Sequence, residues 1–174
     1  MIISVEDLKL HLNKDINNEV LAIKLRALEQ LVRKYTNNNF QNTKIRFRCE
    51  ATERGLHITS PYLTVGDTIQ ITQSKYNDGL YTIEGVGSEG LSLNKTLFEE
   101  KEVLVTKVEY PEDVVLGVIN LIKWDIENRA KVGIQSETIS RHSVTYFNMD
   151  GDNSKTGYPK SLMGFLDLYK KARF

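Results

Sequence analysis

The sequence predicts an α+β fold: an α-helical core, made of an N-terminal hairpin and two C-terminal helices, with an inserted small β-barrel or rolled antiparallel sheet. Apolar residues follow a helical period up to about residue 40, alternate as in strands from 44 to 110, and become helical again after Pro111. Turn signals divide the middle block, and closing its strands would remove unpaired edges. The predicted boundaries are 1–43 and 111–174 for the helical core and 44–110 for the β domain.

The first segment is expected to form two helices. Ser4 followed by Asp7 is typical of a helix N-terminus, and a longer helix should begin near Asn17 or Asn18. Thr36–Asn39 should end it, because asparagine tolerates left-handed and turn conformations. The longer helix has an apolar stripe of Leu21, Leu25, Leu28, Val32 and Tyr35, widened by Val20, Ile23, Ala27 and Leu31. A face this broad needs a partner within the chain or on another chain.

The alternation of apolar and polar residues from 44 to 110 predicts about six short strands. Ile45, Phe47, Cys49 and Ala51 alternate with charged residues, and further alternating pairs end at Val103 and Val105. Turn signals separate these pairs at Arg54-Gly55, Val65-Gly66-Asp67, Asn77-Asp78-Gly79 and Ser88-Glu89-Gly90.

The last segment predicts helices around a polar, extended stretch. Pro111 suits the first position of a helix with an apolar face of Val115, Val118, Ile119, Ile122 and Ile126, ending near Lys131 with Gly133 as a cap. Residues 134–147 should be extended and 148–157 a loop. Pro159 should open a final helix with a stripe of Leu162, Phe165, Leu166 and Tyr169.

Composition excludes several classes of protein. The 174 residues are 40% hydrophobic without an apolar run long enough for a membrane span, and the 23 basic residues balance the 23 acidic ones. Tight non-specific binding of nucleic acid usually needs a basic excess. Lone Cys49 and an opening that lacks the pattern of a signal peptide favour a protein that folds inside the cell.

The chemical motifs do not predict an enzyme, a metal site or a cofactor. Gly85–Gly90 matches a dinucleotide-binding pattern, but a strand pattern follows it where a helix is required, so a hairpin is favoured. Asp150–Ser154 starts like a calcium loop, but Lys155 and Ser161 occupy the positions of the required glycine and acid. Cys49 is expected to be a buried, unreactive thiol. His11, His57 and His142 lack the spacing of metal ligands.

Three parts of the chain together resemble the head–tail connector (adaptor, or head-completion) proteins of tailed bacteriophages. The first is Val5–Leu12 with Asp15 and the helix that ends at Val32–Phe40, and the second is Pro111–Val115 with the helix to Asn128. The third is Ser136-Glu137, Ser143–Tyr146 and Gly157-Tyr158-Pro159 through Leu166, Tyr169 and Arg173. The order and spacing of these parts carry the resemblance. The inserted block 44–110 departs from the many members that have a short connection there.

The resemblance implies a non-enzymatic virion protein at the head–tail junction that is present in the host cytoplasm during assembly. Such proteins form a homo-oligomeric, usually dodecameric ring beneath the portal protein, extend the DNA channel and provide the platform for a head-closure (stopper) or tail protein. Double-stranded DNA passes without specific binding, and no membrane is involved. By this analogy the candidate residues for subunit and portal contacts are Ser136, Glu137, Arg141, Ser143, Tyr146, Tyr158, Pro159, Tyr169, Arg173 and Phe174.

A second hypothesis from the residues is a small β-barrel module, flanked by helices, that binds nucleic acid or a peptide. Small barrels host such sites, and Tyr62, Tyr76 and Tyr81 could stack on bases. The block is slightly more acidic than basic, which disfavours nucleic acid.

Overall fold

A computed structural model describes residues 1–132, 136–139, 142–145 and 153–172, with the two short stretches 136–139 and 142–145 described by their backbone only. It contains helices and a closed six-stranded antiparallel barrel. This confirms the predicted mixed α+β class and, of the two forms that the sequence left open, selects the barrel. The predicted cap at Gly133 lies outside the described residues.

Two helices precede the barrel: α1 (Val5–Leu10) and α2 (Asn18–Thr36). The Ser4 hydroxyl accepts a hydrogen bond from the Asp7 amide at 3.0 Å, and the Asn17 side chain accepts one from the Glu19 amide at 2.7 Å. Asn37 ends α2 in the left-handed conformation, with φ at 49°. These caps satisfy backbone groups that a helix leaves unpaired at its ends, and they confirm the predicted helix termini.

The barrel contains strands β1 (Gln41–Thr52), β2 (Gly55–Leu56), β3 (Thr68–Thr72), β4 (Gly79–Gly87), β5 (Gly90–Leu93) and β6 (Glu100–Val108). They close in the order β1-β2-β5-β4-β3-β6, so that β6 returns to β1. The interior is filled by the alternating apolar residues that predicted the strands: Ala51, Leu56, Ile69, Ile71, Ile83, Leu91, Val103 and Val105 are buried, together with Leu63 and Leu97 from the loops.

Two glycines allow β2 and β5 to approach closely. Gly55 and Gly90 both have positive φ, at 136° and 140°. A Cβ at Gly55 would lie 1.9 Å from the carbonyl oxygen of Leu91, and a Cβ at Gly90 would lie 2.1 Å from that of Leu56. A side chain at either position would therefore open the barrel at this pair of strands.

After the barrel the chain forms α3 (Glu112–Asn128), which continues as a 3₁₀ turn over Arg129–Lys131. Strands β7 (Ser136–Ile139) and β8 (His142–Thr145) pair antiparallel with each other, and both fall in the stretch predicted to be extended. Strands β9 (Ser154–Lys155) and β10 (Tyr158–Pro159) then pair with each other and lead into α4 (Lys160–Met163) and a 3₁₀ helix over Gly164–Tyr169.

The C-terminal part differs from the sequence prediction in three details. Pro111 is the cap before α3 instead of its first residue, and Ser154–Lys155 forms a short strand within the predicted loop. The predicted final helix has one α-helical turn before it tightens to the 3₁₀ form. Met163 and Leu166 are buried, whereas the predicted stripe residues Leu162, Phe165 and Tyr169 are only partly covered.

The chain divides into two compact units. One comprises residues 1–2 and 38–110 and contains the barrel; the other comprises 3–37 and the described part of 111–174 and contains the helices. We call them the barrel unit and the helical unit. None of the helices in the described residues combines the length and the hydropathy that crossing a bilayer requires.

Candidate functional site

The ten residues predicted to form contacts with neighbouring subunits and the portal are described to different degrees. The side chains of Tyr158, Pro159 and Tyr169 are described; Tyr158 and Pro159 are buried and Tyr169 is partly exposed. Ser136 and Glu137 lie in β7 and Ser143 in β8, where Thr138 is the register partner of Ser143. Arg141, Tyr146, Arg173 and Phe174 lie outside the described residues. Contacts of these residues with other chains stay a prediction.

Tyr158 packs in the interior of the helical unit. Its ring centroid lies 5.6 Å from that of Trp124, and the guanidinium of Arg129 lies 4.7 Å from the same ring. Burial, together with the negative charge of Asp125, raises the pKa of the Tyr158 phenol. Tyr158 is therefore a neutral packing residue that fixes the turn before α4 against α3.

An ionic cluster around Asp125 lies beside this aromatic pair. Asp125 is only 7% exposed, and its two carboxylate oxygens accept hydrogen bonds from Lys24 of α2 and from Nε of Arg129. Burial alone would raise the pKa of Asp125, but the hydrogen bonds and charges of Lys24 and Arg129 outweigh it and lower that pKa. Arg129 also donates from Nη1 to the carbonyl oxygen of Gly157 at 2.8 Å. A carboxylate that stays ionised at neutral pH cannot act as a general acid there. Through these bonds the cluster connects α2, the end of α3 and the turn at Gly157.

The C-terminal 3₁₀ helix is held to the helical unit by two tyrosine–carboxylate bonds. The Tyr169 hydroxyl donates to Asp113, with oxygen–oxygen distances of 2.7 and 2.8 Å, and the Tyr35 hydroxyl donates to Asp167 at 2.7 Å. Hydrogen bonds from Lys170 and Tyr35 lower the pKa of Asp167. Beyond the helix, the Lys171 amide donates to the carbonyl oxygen of Thr36 at 2.8 Å. These contacts dock the last described residues on the end of α2.

The outer side of α2 carries an apolar stripe that the unit does not cover. Leu21, Leu25, Leu28 and Val32 are at most 3% exposed, whereas Ile23 is 58% and Val20 is 44% exposed. Ala27 is exposed and Leu31 is partly exposed. Sequence analysis predicted one broad apolar face that needs a partner within the chain or on another chain. The structure covers Leu21, Leu25, Leu28 and Val32 of this face and leaves Val20, Ile23 and Ala27 exposed. A hollow of about 300 Å³ adjoins the exposed stripe; it is lined by Lys24, Ala27, Leu28, Leu31, Ile122, Asp125, Arg129 and Tyr158.

The barrel unit presents a separate candidate, an exposed aromatic pair. Tyr76 and Phe98 are 60% and 65% exposed, with ring centroids 5.6 Å apart. The Glu100 carboxylate accepts hydrogen bonds from the amides of Lys75 and Tyr76, at 2.9 and 3.0 Å. The buried amide side chain of Asn77 donates to the Phe98 carbonyl oxygen and accepts from the Phe98 amide, both at 2.8 Å. These bonds join the two loops and hold the backbones that carry the two rings next to each other.

The other tyrosines proposed to stack on bases are placed differently. Tyr62 is 63% exposed, while Tyr81 packs against the barrel core and donates its hydroxyl to the Asn77 carbonyl oxygen at 2.9 Å. Tyr81 is thus part of the barrel packing. The ring beside Tyr76 is that of Phe98, which sequence analysis did not single out. Leu97 is buried and Phe98 is exposed, but both lie in the loop between β5 and β6, so strand alternation gave no signal for Phe98.

The sequence motifs with chemical associations have structural explanations where they are described. Gly85–Gly90 spans a hairpin in which Gly87 pairs with Gly90 across a two-residue turn, and β5 follows, which confirms the hairpin prediction. Burial raises the pKa of the half-buried Cys49 thiol to about 11. Most of Asp150–Ser154 lies outside the described residues. Within the described residues, no three His, Cys, Asp or Glu side chains are grouped to hold a metal ion.

Comparison with known proteins adds no relatives. The sequence matches no protein-family model, and no curated protein is significantly similar to it.

Proposed function

We propose that this chain is a structural protein of a tailed-bacteriophage virion, a connector that forms a dodecameric ring beneath the portal. The ring extends the DNA channel and provides the attachment platform for a head-closure or tail protein. The chain works at the head–tail junction, is present in the host cytoplasm during assembly, and has no catalytic role.

One observation supports the proposal most directly. The chain leaves the helical unit after Asn37, builds a complete barrel, and returns to the same helical unit at Pro111. An α-helical connector core, made of the N-terminal hairpin α1–α2 and the C-terminal helices α3 and α4, would have this organisation if the barrel were an insertion. Apart from Asn38–Phe40 at the end of the first one, the three segments that resemble connector proteins fall in the helical unit, which agrees with this interpretation.

The charge of the chain suits a passive conduit. The formal net charge is zero. DNA binding through phosphate contacts strengthens with each lysine or arginine that participates, so a strongly basic channel wall would retain the genome. A neutral ring lets DNA pass. In this proposal the polar segment 134–174 contacts the portal and neighbouring subunits, and the barrel decorates the outside of the ring.

The experiment that tests this function is electron microscopy of purified chain mixed with DNA-filled, portal-bearing heads. We expect additional density with rotational symmetry beneath the portal, absent from heads incubated without the chain. Heads that gain no density at saturating concentrations of the chain would refute the proposal. The matched control is the chain with Leu28→Asp, which should not fold its helical unit and should add no density.

A second candidate function is favoured by the aromatic pair Tyr76–Phe98: a barrel module that binds a peptide or single-stranded nucleic acid. Exposed aromatic rings in a fixed arrangement stack on bases and anchor peptides at a low entropic cost. Titration of fluorescent single-stranded DNA at low salt tests the nucleic-acid form, with Tyr76→Ala as the matched variant. Absence of binding at micromolar chain, or equal binding by the variant, would reject it.

A further inference from the structure

The outer face of strand β1 carries three exposed cations, Lys44, Arg46 and Arg48, which we call the cation row. They alternate with apolar residues that pack against the barrel core, so the three side chains point away from the core. Alternate residues of a strand lie roughly 7 Å apart, so the row extends along one side of the barrel. The row is basic although the block 44–110 as a whole is slightly more acidic than basic.

Two members of the cation row are available to bind an anion. None of the salt bridges between described residues includes Lys44 or Arg46. Arg46 is positioned by a neutral partner, because its Nε donates a hydrogen bond to the hydroxyl of the fully buried Thr106 at 3.1 Å. This bond uses one of the five N–H donors of the guanidinium and leaves its two terminal nitrogens for a ligand. The planar fork of these nitrogens matches two oxygens of a phosphate group.

Arg48 connects the cation row to the loop that carries Tyr76. Its Nη1 donates to the Glu102 carboxylate at 2.6 Å, and its Nη2 donates to the side-chain oxygen of Gln73 at 3.0 Å. Glu102 neutralises Arg48, so the free charge of the row is on its other two members. Gln73 lies three residues before Tyr76, and the Nζ atom of Lys75 lies 5.0 Å from the centroid of the Tyr76 ring. A further cation thus lies against the exposed aromatic pair.

We propose that the cation row binds the phosphate backbone of a single-stranded nucleic acid whose bases stack on Tyr76 and Phe98. Proteins that bind single strands combine aromatic rings, on which bases stack, with cations that follow the phosphates. A duplex keeps its bases stacked on each other and does not offer them to the rings. A peptide anchored on the rings would need a series of acidic residues to use the row. The inference rests on the second candidate function and specifies its ligand and the path of the ligand's backbone.

Fluorescence anisotropy with an oligothymidine of about 20 nucleotides tests the cation row, because one small binding barrel covers roughly 4–16 nucleotides. Affinity for the wild-type chain should fall as the salt concentration rises. Each phosphate contact that is lost should reduce the slope of log K against log salt by about 0.7. Lys44→Gln and Arg46→Gln should each show this reduction. Each should also bind about eightfold more weakly at about 0.05 M salt, which is the factor that a slope of about 0.7 gives at that concentration.

The matched control is Arg54→Gln. Arg54 is an exposed arginine of the same unit, in the turn between β1 and β2, where it lines a cleft together with Glu53 and Glu89. This substitution removes the same charge as Arg46→Gln, so it separates the cation row from the net charge of the barrel unit. It should leave both the affinity and the slope unchanged. Lys44→Gln keeps the test valid if Arg46→Gln disturbs Thr106, because the Lys44 side chain makes no hydrogen bond or ion pair with any described residue.

The outcomes separate a failure of the cation row from a failure of the second candidate function. Unchanged slopes in Lys44→Gln and Arg46→Gln would overturn the inference, and weaker binding by Tyr76→Ala in the same experiment would leave the aromatic site standing. Reduced slopes together with full binding by Tyr76→Ala would support the row as a phosphate contact and refute the aromatic site. No binding by wild type at micromolar chain would overturn the inference, and so would equally tight binding of a duplex or of polyglutamate, since neither presents bases to the rings.

Discussion

The barrel unit and the helical unit differ in how completely they bury their apolar side chains and pair the edges of their strands. In the barrel, each strand pairs with two neighbours and the alternating apolar side chains point inward. Closure therefore leaves no unpaired sheet edge and buries the apolar face of the sheet. In the helical unit, α2 and α3 leave Ile23 and Leu116 more than half exposed, and β7–β8 is a sheet of two strands. All six strands of the barrel are paired on both sides, whereas the helical unit leaves apolar side chains of two helices exposed.

The largest effect is expected from a substitution that unfolds the helical unit and leaves the barrel unit folded. Leu28 is 3% exposed in the helical unit, so Leu28→Asp buries an unpaired carboxylate at a cost of several kcal/mol, comparable to the total stability of a domain. Far-UV circular dichroism should show loss of helix, and hydrogen exchange should show continued protection of amides in β1, β3 and β6. Loss of protection in these strands as well would show that the barrel depends on the helical unit.

The next largest effect concerns packing inside the helical unit. A Cβ at Gly117 of α3 would lie 2.3–2.5 Å from three atoms of the Phe165 ring, so Gly117→Ala must displace that ring. Overpacking of this kind costs about 1–3 kcal/mol, measured as a lower unfolding midpoint in urea. Gly164→Ala is the matched control, since nothing lies within 4 Å of its added Cβ and it should not destabilise the chain. Equal midpoints for both variants would mean that Phe165 does not pack on α3 as described.

A smaller effect is expected from the ionic cluster, and it depends on pH. The pKa of Asp125 in the folded chain lies below its ordinary value of 3.8, so the carboxylate contributes stability above pH 4 and loses it as the pH falls through the folded pKa. Asp125→Asn should cost about 1–2 kcal/mol at pH 7, because both cations are partly exposed and water replaces part of each interaction. Urea unfolding from pH 2 to 7 should show the difference in unfolding free energy shrink towards the acid end; a constant difference would contradict this account.

Local patterns in the sequence predicted the parts of the fold that local interactions determine. The alternation from Ile45 to Ala51 and the turn at Ser88-Glu89 predicted strands and a hairpin, because a period of two and a two-residue loop leave little choice of structure. Ser4, Asn17 and Asn37 marked helix ends through bonds to their own neighbours.

Features that depend on distant residues could not be predicted in this way. Periodicity predicted one broad apolar face on α2, but only the packing partners decide that Leu25 is buried and Ile23 is exposed. Lys24 and Asp125 are 101 residues apart in the chain, so no spacing rule connects them. The spacing of Leu162, Phe165, Leu166 and Tyr169 predicted a helix there but not the 3₁₀ form of Gly164–Tyr169.

The smallest effect concerns the rate at which the Cys49 thiol of the barrel unit is alkylated, which is measured without changing the fold. Burial raises the pKa of the Cys49 thiol to about 11, so little of it is the reactive thiolate at neutral pH. Native chain should react with iodoacetamide more slowly than the urea-unfolded chain at pH 8, and its rate should keep rising with pH beyond 9. The same measurement on the Leu28→Asp variant tests whether the barrel stays closed when the helical unit is unfolded. If the barrel is self-sufficient, Cys49 should stay as slow in that variant as in wild type, and a rate near that of the unfolded chain would show that closure of the barrel needs the helices.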